Sequence, residues 1–313
     1  MKIAVVGAGL IGQAWAIVFA RAGQHVVLWD GQEPALLEAP IIIAKLVEDL
    51  AQAGLVDDPA ELLARISTEA DLEVALKGVG YVQENLPEKL ALKQSIFERL
   101  DALTPPDVIL ASSTSSIPAS KFTETLAGRA RCVIAHPVNP PYLVPVVEIC
   151  GAPWTAPDVI ERTWQLMQQI KQKPVHIKKE LEGFILNRLQ GALLREAFKL
   201  VQEGYVDAEG LDTTVKDGLG LRWSFMGPFE TIDLNAPGGL ADYAQRYGPL
   251  YHSIAKEQTD TSPWSEAVIQ ALDQQRREQL PKEQLGDRRL WRDRRLMAMA
   301  AQRKRLEQNG SEL

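Results

Sequence analysis

The first thirty residues constrain the fold of this chain more than any other segment. An apolar run, IAVVGAG, leads into the helical pattern LIGQAWAIVFARAG, and a second apolar run, HVVLWD, follows. Gly7, Gly9 and Gly12 form a G-x-G-x-x-G array at the turn between the first run and the helix. In such a turn the first glycine permits the bend, the second lets the backbone approach a pyrophosphate and the third lets the helix pack on the strand. The segment predicts a β-α-β unit that binds a dinucleotide.

Asp30 follows the second predicted strand and distinguishes between the two nicotinamide dinucleotides. An acid at this position accepts a hydrogen bond from the adenine ribose 2′-hydroxyl and repels a 2′-phosphate. The next residues, Gly31 and Gln32, supply no arginine for a phosphate. At the start of the helix, the amides of Leu10 and Ile11 are expected to face the pyrophosphate. The sequence therefore predicts NAD, rather than NADP, as the cofactor.

The rest of the chain divides into two parts by its hydrophobic pattern. As far as about residue 180, short Val- and Ile-rich runs alternate with helical patterns, as is typical of a mostly parallel sheet covered on both faces. Residues 184–205 have apolar positions at helical spacing, and no strand-like run follows them. We predict an α/β fold, with a doubly wound, mostly parallel Rossmann sheet in residues 1–182 and an all-helical substrate and dimerisation domain in residues 183–313.

Composition and charge narrow the classes of partner. The net charge of −7 argues against nucleic acid or an anionic membrane surface as the main partner. The basic stretch DRRLWRDRRL near the C-terminus is interrupted by acids and apolar residues, which favours a docked amphipathic helix. Two cysteines are too few for a disulfide framework and lack the spacing of a metal site, so reduced thiols and no metal are expected. Without a signal peptide or membrane span, a cytoplasmic location is expected.

Polar residues near the ends of three predicted strands mark a candidate reaction site. Ser115 follows one strand, His136 ends the next, and Glu148 lies in the strand after the Pro-rich bend HPVNPPYLVP. A neutral imidazole can accept a hydroxyl proton with one nitrogen while the other donates to a carboxylate. The residues alone leave two alternatives open, a general base and a core histidine.

Six motifs, in order along the chain, resemble the 3-hydroxyacyl-CoA dehydrogenase superfamily. They are GAGLIG, VQENLPEKLALK, SSTSSI, HPVNPPYLVPVVE, EGFILNRL and GPFE. The similarity is greatest to the lambda-crystallin branch, the L-gulonate 3-dehydrogenases, and includes VQEGYVDAEGLD, DGLGLRWSFMGPFETIDLN and WRDRRLMAMA. The resemblance implies a dinucleotide domain followed by a helical domain that forms a homodimer.

The resemblance also implies roles for individual residues in the reaction. His136 matches the catalytic base of the family and Glu148 the carboxylate that orients it. Ser115 and Asn187 match the side chains that hydrogen-bond the reacting oxygen.

On the cofactor side, the resemblance implies contacts from Glu88 and Lys93 of PEKLALK. Asn139 is expected to line the same cleft.

The substrate is predicted from two features. Residues 31–80 contain ten acids against three cations, a field that would repel the phosphates of coenzyme A. Arg222, in GLRWSFMGP, offers a planar guanidinium for a substrate carboxylate. L-Gulonate or a related small 3-hydroxy carboxylate is therefore favoured. A 3-hydroxyacyl-CoA such as 3-hydroxybutyryl-CoA, or L-carnitine held against Trp223, remains as an alternative. A purely structural, non-enzymatic NAD-binding protein is a further alternative. It would need neither His136 nor Glu148, and both are present.

Overall fold

An eight-stranded sheet forms the centre of the protein in this computed structural model, which describes residues 1–308. The strands are β1 (Lys2–Val6), β2 (His25–Trp29), β3 (Ile66–Glu69), β4 (Tyr81–Glu84), β5 (Ile109–Ser112), β6 (Cys132–Pro137), β7 (Val146–Gly151) and β8 (Lys173–Ile177). Their order across the sheet is β3-β2-β1-β4-β5-β6-β7-β8. The order reverses between β1 and β4, and a doubly wound sheet binds its ligand in the crevice at such a reversal.

Helices of the unit that contains the sheet cover both of its faces. Along the whole described chain the helices are α1 (Leu10–Arg21), α2 (Glu33–Gln52), α3 (Pro59–Ala64), α4 (Leu72–Ala75), α5 (Leu90–Leu103), α6 (Ser120–Thr123), α7 (Pro157–Gln169), α8 (Phe184–Gln202), α9 (Ala208–Thr213), α10 (Gly220–Trp223), α11 (Pro228–Asp233), α12 (Gly239–Ala255), α13 (Glu266–Gln279) and α14 (Leu285–Gln308). On one face Trp15, Val47 and Met167 from α1, α2 and α7 are buried in a single apolar core. On the other, Leu72 and Phe97 from α4 and α5 are buried in a second one. The predicted α/β fold is confirmed.

The strands from β3 to β6 are all parallel, and β7 reverses direction. The reversal follows from the Pro-rich bend at residues 138–145, which is too short for the helical crossover that a parallel connection needs. In the resulting antiparallel ladder His136 lies directly opposite Glu148. The bend therefore brings the two residues of the candidate site together by strand register.

Strand β3 is an element that the hydrophobic pattern does not predict. Its sequence, ISTE, contains one apolar residue, and it pairs only with β2 at the edge of the sheet. An edge strand is partly exposed to solvent, so it does not need apolar residues on both of its faces. The periodicity that identifies the interior strands is therefore missing here.

The chain forms two compact units whose limits differ from the predicted 1–182 and 183–313. Among the described residues, one unit contains Met1–Arg188 together with residues 290–308, and the other contains Leu189–Arg289. Within residues 184–308 the structure has helices and no strand, as predicted. The difference lies at the two ends of the helical part, where the first residues of α8 and most of α14 belong with the sheet.

Helix α14 joins the first unit through one buried side chain and one charged contact. Met297 is 3% exposed and lies in the same apolar core as α1 and α2. Lys304 Nζ lies 3.5 Å from the carboxylate of Asp57 and donates to the carbonyl oxygen of Gly54 at 3.1 Å. The basic C-terminal stretch is thus a docked helix, as its interleaved pattern predicts. No helix within residues 1–308 has the length and apolar character to cross a bilayer.

Candidate active site

The glycine turn after β1 is tightly packed on one side and open on the other. Gly7 has φ +104°, and a Cβ there would lie 3.0 Å from the backbone carbonyl of Asn85. A Cβ on Gly12 would lie 1.8 Å from the Gly7 carbonyl oxygen, so this approach of helix to turn requires glycine. A Cβ on Gly9 would meet nothing within 4 Å. The backbone at Gly9 therefore faces open space, as a turn that receives a pyrophosphate requires.

Asp30 braces this turn from the end of β2. One carboxylate oxygen accepts the amide of Ala8 at 2.7 Å and the other accepts the amide of Gln32 at 2.9 Å. Both oxygens retain lone pairs, because each carboxylate oxygen can accept more than one hydrogen bond. Asp30 thus fixes the shape of the glycine turn in addition to its predicted contact with a ribose.

A cleft of about 590 Å³ opens beside the turn, where the strand order reverses. Its walls are the glycine turn, residues 30–32, residues 85–87 and one face of α5. Gly7, Gly9, Leu10, Ile11 and Asp30, all predicted to bind the cofactor, line it. The residues present fit a dinucleotide: a glycine cradle, the N-terminus of a helix and an acid at the end of the second strand.

Lys93 lies beneath this cleft rather than on its surface. It is 1% exposed, and its ammonium group donates to both oxygens of Glu84 and to the carbonyl of Leu86, each at 2.9 Å. Ser112 and the amide of Leu86 also donate to Glu84. The structure therefore does not support the expected direct contact of Lys93 with the cofactor. The three hydrogen bonds of its ammonium group instead hold the loop that forms one wall of the cleft.

Glu88 organises the loop that carries Ser115. Its Oε1 atom accepts hydrogen bonds from the hydroxyls of Thr114 and Ser116 and from the amides of Ser115, Ser116 and Ile117. Burial opposes ionisation of Glu88, but the hydrogen bonds from Thr114 and Ser116 outweigh it and lower the pKa of the carboxyl. The negative charge that remains holds the loop in one conformation.

Among the serines of SSTSS, Ser115 is the one with a hydroxyl available to a ligand. Ser112 donates to Glu84, Ser113 bonds Asn85 and Ser116 donates to Glu88. The half-exposed Ser115 makes no side-chain hydrogen bond with any of the residues that the structure describes. This pattern supports the choice of Ser115 from the four serines.

His136 and Glu148 form a buried pair, 6% and 2% exposed. His136 Nδ1 lies 2.7 Å from Glu148 Oε2. The other oxygen of Glu148 accepts the amides of Ile185 and Leu186, each at 2.9 Å, at the N-terminus of α8. Burial would raise the pKa of Glu148, but the hydrogen bonds from His136 and from the Leu186 amide outweigh it and lower the pKa. Glu148 is therefore an ionised acceptor for Nδ1, and His136 Nε2 has no hydrogen-bond partner among residues 1–308.

Asn187 joins the same arrangement one residue further along α8. Its Nδ2 donates to the carbonyl oxygen of Ser115 at 2.8 Å. The structure thus connects His136, Glu148, Asn187 and Ser115 through α8.

Two predicted residues make no hydrogen bond with this connected group. Asn139 is exposed on the bend just after β6. Arg222 lies in the second unit, exposed on α10, and follows the π-helical turn Thr214–Leu219. The hydrogen bond to Tyr251 raises the pKa of Tyr243, and the charge of Arg222 opposes that rise. The roles of Asn139 and Arg222 in binding stay predictions.

Sequence reasoning missed the α8 amides that bind Glu148. The helix begins directly after Gly183, which has φ +74°, and that glycine in ELEGF is the signal that a buried helix start lies here. A helix N-terminus presents unpaired amides, and a carboxylate is the group that suits them.

Comparison with known families agrees with this geometry. The NAD binding domain of 3-hydroxyacyl-CoA dehydrogenase matches residues 2–181, and the C-terminal domain of the same enzymes matches residues 183–279. The chain belongs to the 3-hydroxyacyl-CoA dehydrogenase family. It is an NAD-dependent oxidoreductase with a Rossmann domain.

Proteins similar to this chain differ in the activities that their names state. A lambda-crystallin homolog from Bos taurus is 42% identical over 98% of this chain and 97% of its own. An L-carnitine dehydrogenase from Streptomyces griseus is 36% identical over 87% of this chain and 78% of its own. The solved structure of 5-formyl-3-hydroxy-2-methylpyridine 4-carboxylic acid 5-dehydrogenase, an NAD+ dependent dismutase, has a TM-score of 0.84 at 28% identity and covers 99% of both chains.

The lowered pKa of Glu148 predicts a pH-dependent contribution to stability. A folded pKa below the unfolded value, about 4.3 for Glu, gives stability that is complete above that pH and lost as the pH falls through the folded pKa. The difference in unfolding free energy between the native chain and Glu148→Gln should therefore be largest near neutral pH and shrink below about pH 4. Urea unfolding across this range measures it. Glu98→Gln, at an exposed position of α5, is the control, and a Glu148 difference independent of pH would contradict the assignment.

Proposed function

We propose that this dehydrogenase oxidises the 3-hydroxyl group of a small hydroxy acid, L-gulonate or a related 3-hydroxy carboxylate, with His136 as the base. The observation that carries the proposal is the buried pair of His136 and Glu148, whose second oxygen binds the amides of α8. A core histidine needs one acceptor, whereas this one has an ionised acceptor that is itself fixed by two backbone amides. Such a partner stabilises an imidazolium as it forms.

The chain's own residues divide the reaction between them. His136 Nε2 takes the hydroxyl proton, and Glu148 holds the ring in the tautomer that allows this. The Ser115 hydroxyl and the second amide hydrogen of Asn187 donate to the substrate oxygen and favour its developing charge. NAD, when bound, supplies the acceptor for the hydride.

Binding of NAD is assigned to the turn and cleft described above. Gly7, Gly9 and Gly12 shape the turn, and the amides of Leu10 and Ile11 face the pyrophosphate. Glu88 acts by holding the loop that contains Ser115, and Lys93 acts by holding the loop at Leu86 that lines the cleft.

A free carboxylate is favoured as the substrate's second recognised group. Residues 31–80 carry ten acids against three cations, which disfavours the phosphates of coenzyme A. Arg222 provides a guanidinium that pairs with a carboxylate through two parallel hydrogen bonds. The full-length similarity to a lambda-crystallin homolog supports the same choice.

L-Carnitine is the second candidate because aromatic residues neighbour Arg222: Trp223 follows it in sequence, and Tyr243 interacts with its charge. Tyr243 and Tyr247 have ring centroids 4.6 Å apart, and Trp223 is 41% exposed. Aromatic faces attract quaternary ammonium groups, and carnitine also carries a carboxylate. The relatives named L-carnitine dehydrogenase give this candidate further support.

We also propose that the enzyme is a homodimer formed by the helical unit. Five large apolar side chains of this unit are more than 60% exposed: Leu189, Tyr205, Leu221, Phe229 and Leu234. Apolar exposure on this scale suits contact with a second copy, as the family resemblance implies. Light scattering should give twice the 34.6 kDa of one chain, and a monomer mass would contradict the proposal.

Removal of the base tests the reaction assignment. His136→Asn should reduce kcat by roughly 10²–10⁴-fold, because proton abstraction is lost, and should leave NAD affinity unchanged. Steady-state kinetics and calorimetric NAD titration measure the two effects. His176→Asn, at a position on β8 outside the connected group, is the control. More than about a tenth of native activity in His136→Asn would favour the core-histidine alternative.

A substrate panel with Arg222 variants tests the substrate class. The panel is L-gulonate, other aldonates, L-carnitine, 3-hydroxybutyrate and 3-hydroxybutyryl-CoA. With the preferred acid, Arg222→Lys should raise KM, and Arg222→Met should cost about 2–5 kcal/mol in kcat/KM if the carboxylate is left buried and unpaired. A neutral 3-hydroxy ester should discriminate little between native enzyme and Arg222→Met. If acid and ester lose activity alike, Arg222 does not bind the carboxylate.

A further inference from the structure

A single arginine lines the cofactor cleft at the end where Asp30 lies. Arg99, near the end of α5, shares this cleft with Trp29, Asp30, Gly31 and Gln32. The sequence around Gly31 predicts that no cation is available to a 2′-phosphate there. The fold supplies one from a helix almost seventy residues further along the chain.

The position of Arg99 follows from the face that α5 turns toward the cleft. Leu92, Ser95, Ile96 and Arg99 all line it. Spacings of three and four residues place side chains on one face of a helix. Arg99 is the last of the four, so its guanidinium occupies one end of that wall.

Trp29 restrains the guanidinium of Arg99. The guanidinium carbon lies 5.8 Å from the centroid of the Trp29 ring, a cation–π distance. The ring is itself fixed, because it is 6% exposed and its Nε1 donates to the carbonyl of Ala70 at 2.9 Å. The edge of the same ring lies 3.7 Å from the position of a Cβ on Gly31. Trp29 therefore keeps Arg99 beside the turn that follows Asp30.

Arg99 has no carboxylate partner among residues 1–308 within ion-pair distance. The hydrogen bonds of Asp30 are made with backbone amides. The cleft is thus lined by one negative side chain, Asp30, and one positive side chain, Arg99, which do not form an ion pair with each other. The first repels a phosphate and the second attracts one.

We propose that Arg99 is a specificity-determining residue for the cofactor: it attracts an adenosine 2′-phosphate, and the repulsion of Asp30 outweighs that attraction in the native chain. The ribose hydroxyls of NAD are therefore preferred, although Arg99 still favours the phosphate of NADP. Without that charge, the guanidinium pairs with the phosphate. The preference for NAD then depends on one carboxylate, and acceptance of NADP on one arginine already present.

The test is a double-mutant cycle on cofactor binding. Asp30→Asn keeps an oxygen that can accept the Ala8 amide and removes the charge. Calorimetry should show about a tenfold or greater gain in NADP affinity for Asp30→Asn, a gain that added salt weakens. In Asp30→Asn with Arg99→Gln, that gain should disappear, while NAD affinity should stay within about threefold of that of the Asp30→Asn single variant. Equal NADP affinity in the single and double variants would overturn the proposal.

Two further variants keep the test decisive if Asp30→Asn disturbs the glycine turn. Arg99→Gln alone should weaken NADP binding by about threefold or more and leave NAD binding unchanged, so that the preference for NAD widens. Arg129→Gln is the matched control, because the guanidinium of Arg129 also lies over a tryptophan, Trp154 at 4.9 Å, outside the cleft. If Arg99→Gln weakens both cofactors equally, Arg99 contacts the adenine they share and the proposal fails.

Discussion

The candidate site depends on one carboxylate with two oxygens that serve two different elements. Glu148 Oε2 holds the ring of His136, and Oε1 accepts two amides at the start of α8. Neither contact would suffice alone, because a buried carboxylate with one donor is expensive and a buried helix start with no acceptor leaves polar groups unpaired. Together they offset the cost of burial. The carboxylate is available to both elements because the Pro-rich bend reverses β7 and places Glu148 opposite His136.

The contacts of Glu148 explain why the other polar residues of the site are where they are. Once its first amides are fixed, α8 presents Asn187, which binds the backbone of Ser115. Glu88 Oε1 accepts five further hydrogen bonds from the loop that contains Ser115. The site is therefore held by acids that accept hydrogen bonds from backbone and hydroxyl groups, and Nε2 of His136 makes no hydrogen bond with the described residues. Rigid support of this kind favours orientation of a bound substrate.

Much of the fold and part of the site could be predicted from the sequence, and the reason differs by residue. The turn at Gly7 and the acid Asp30 are local, since strand, turn and helix lie within thirty residues and each has a distinct pattern. Edge strand β3 has no such pattern, because only one apolar residue contributes to it. The docking of Met297 and the buried pairing of Lys93 depend on segments that the fold brings together. The sequence alone does not distinguish a charged residue that contacts a ligand from one, such as Lys93, that is buried and holds a loop in place.

Charge at the cofactor cleft illustrates the same distinction between composition and position. The surplus of acids in residues 31–80 is a property of composition, and part of it serves the chain itself, since Asp57 receives Lys304 of the docked helix. One such pair leaves most of the ten acids against three cations, so the field still disfavours the phosphates of coenzyme A. Selection between NAD and NADP requires a finer distinction, because the two differ at a single ribose oxygen. A diffuse field acts on both cofactors nearly alike, whereas Asp30 and Arg99 act at the one end of the cleft that they both line. Specificity between such similar ligands therefore has to be built from individual side chains, however acidic the surrounding segment is.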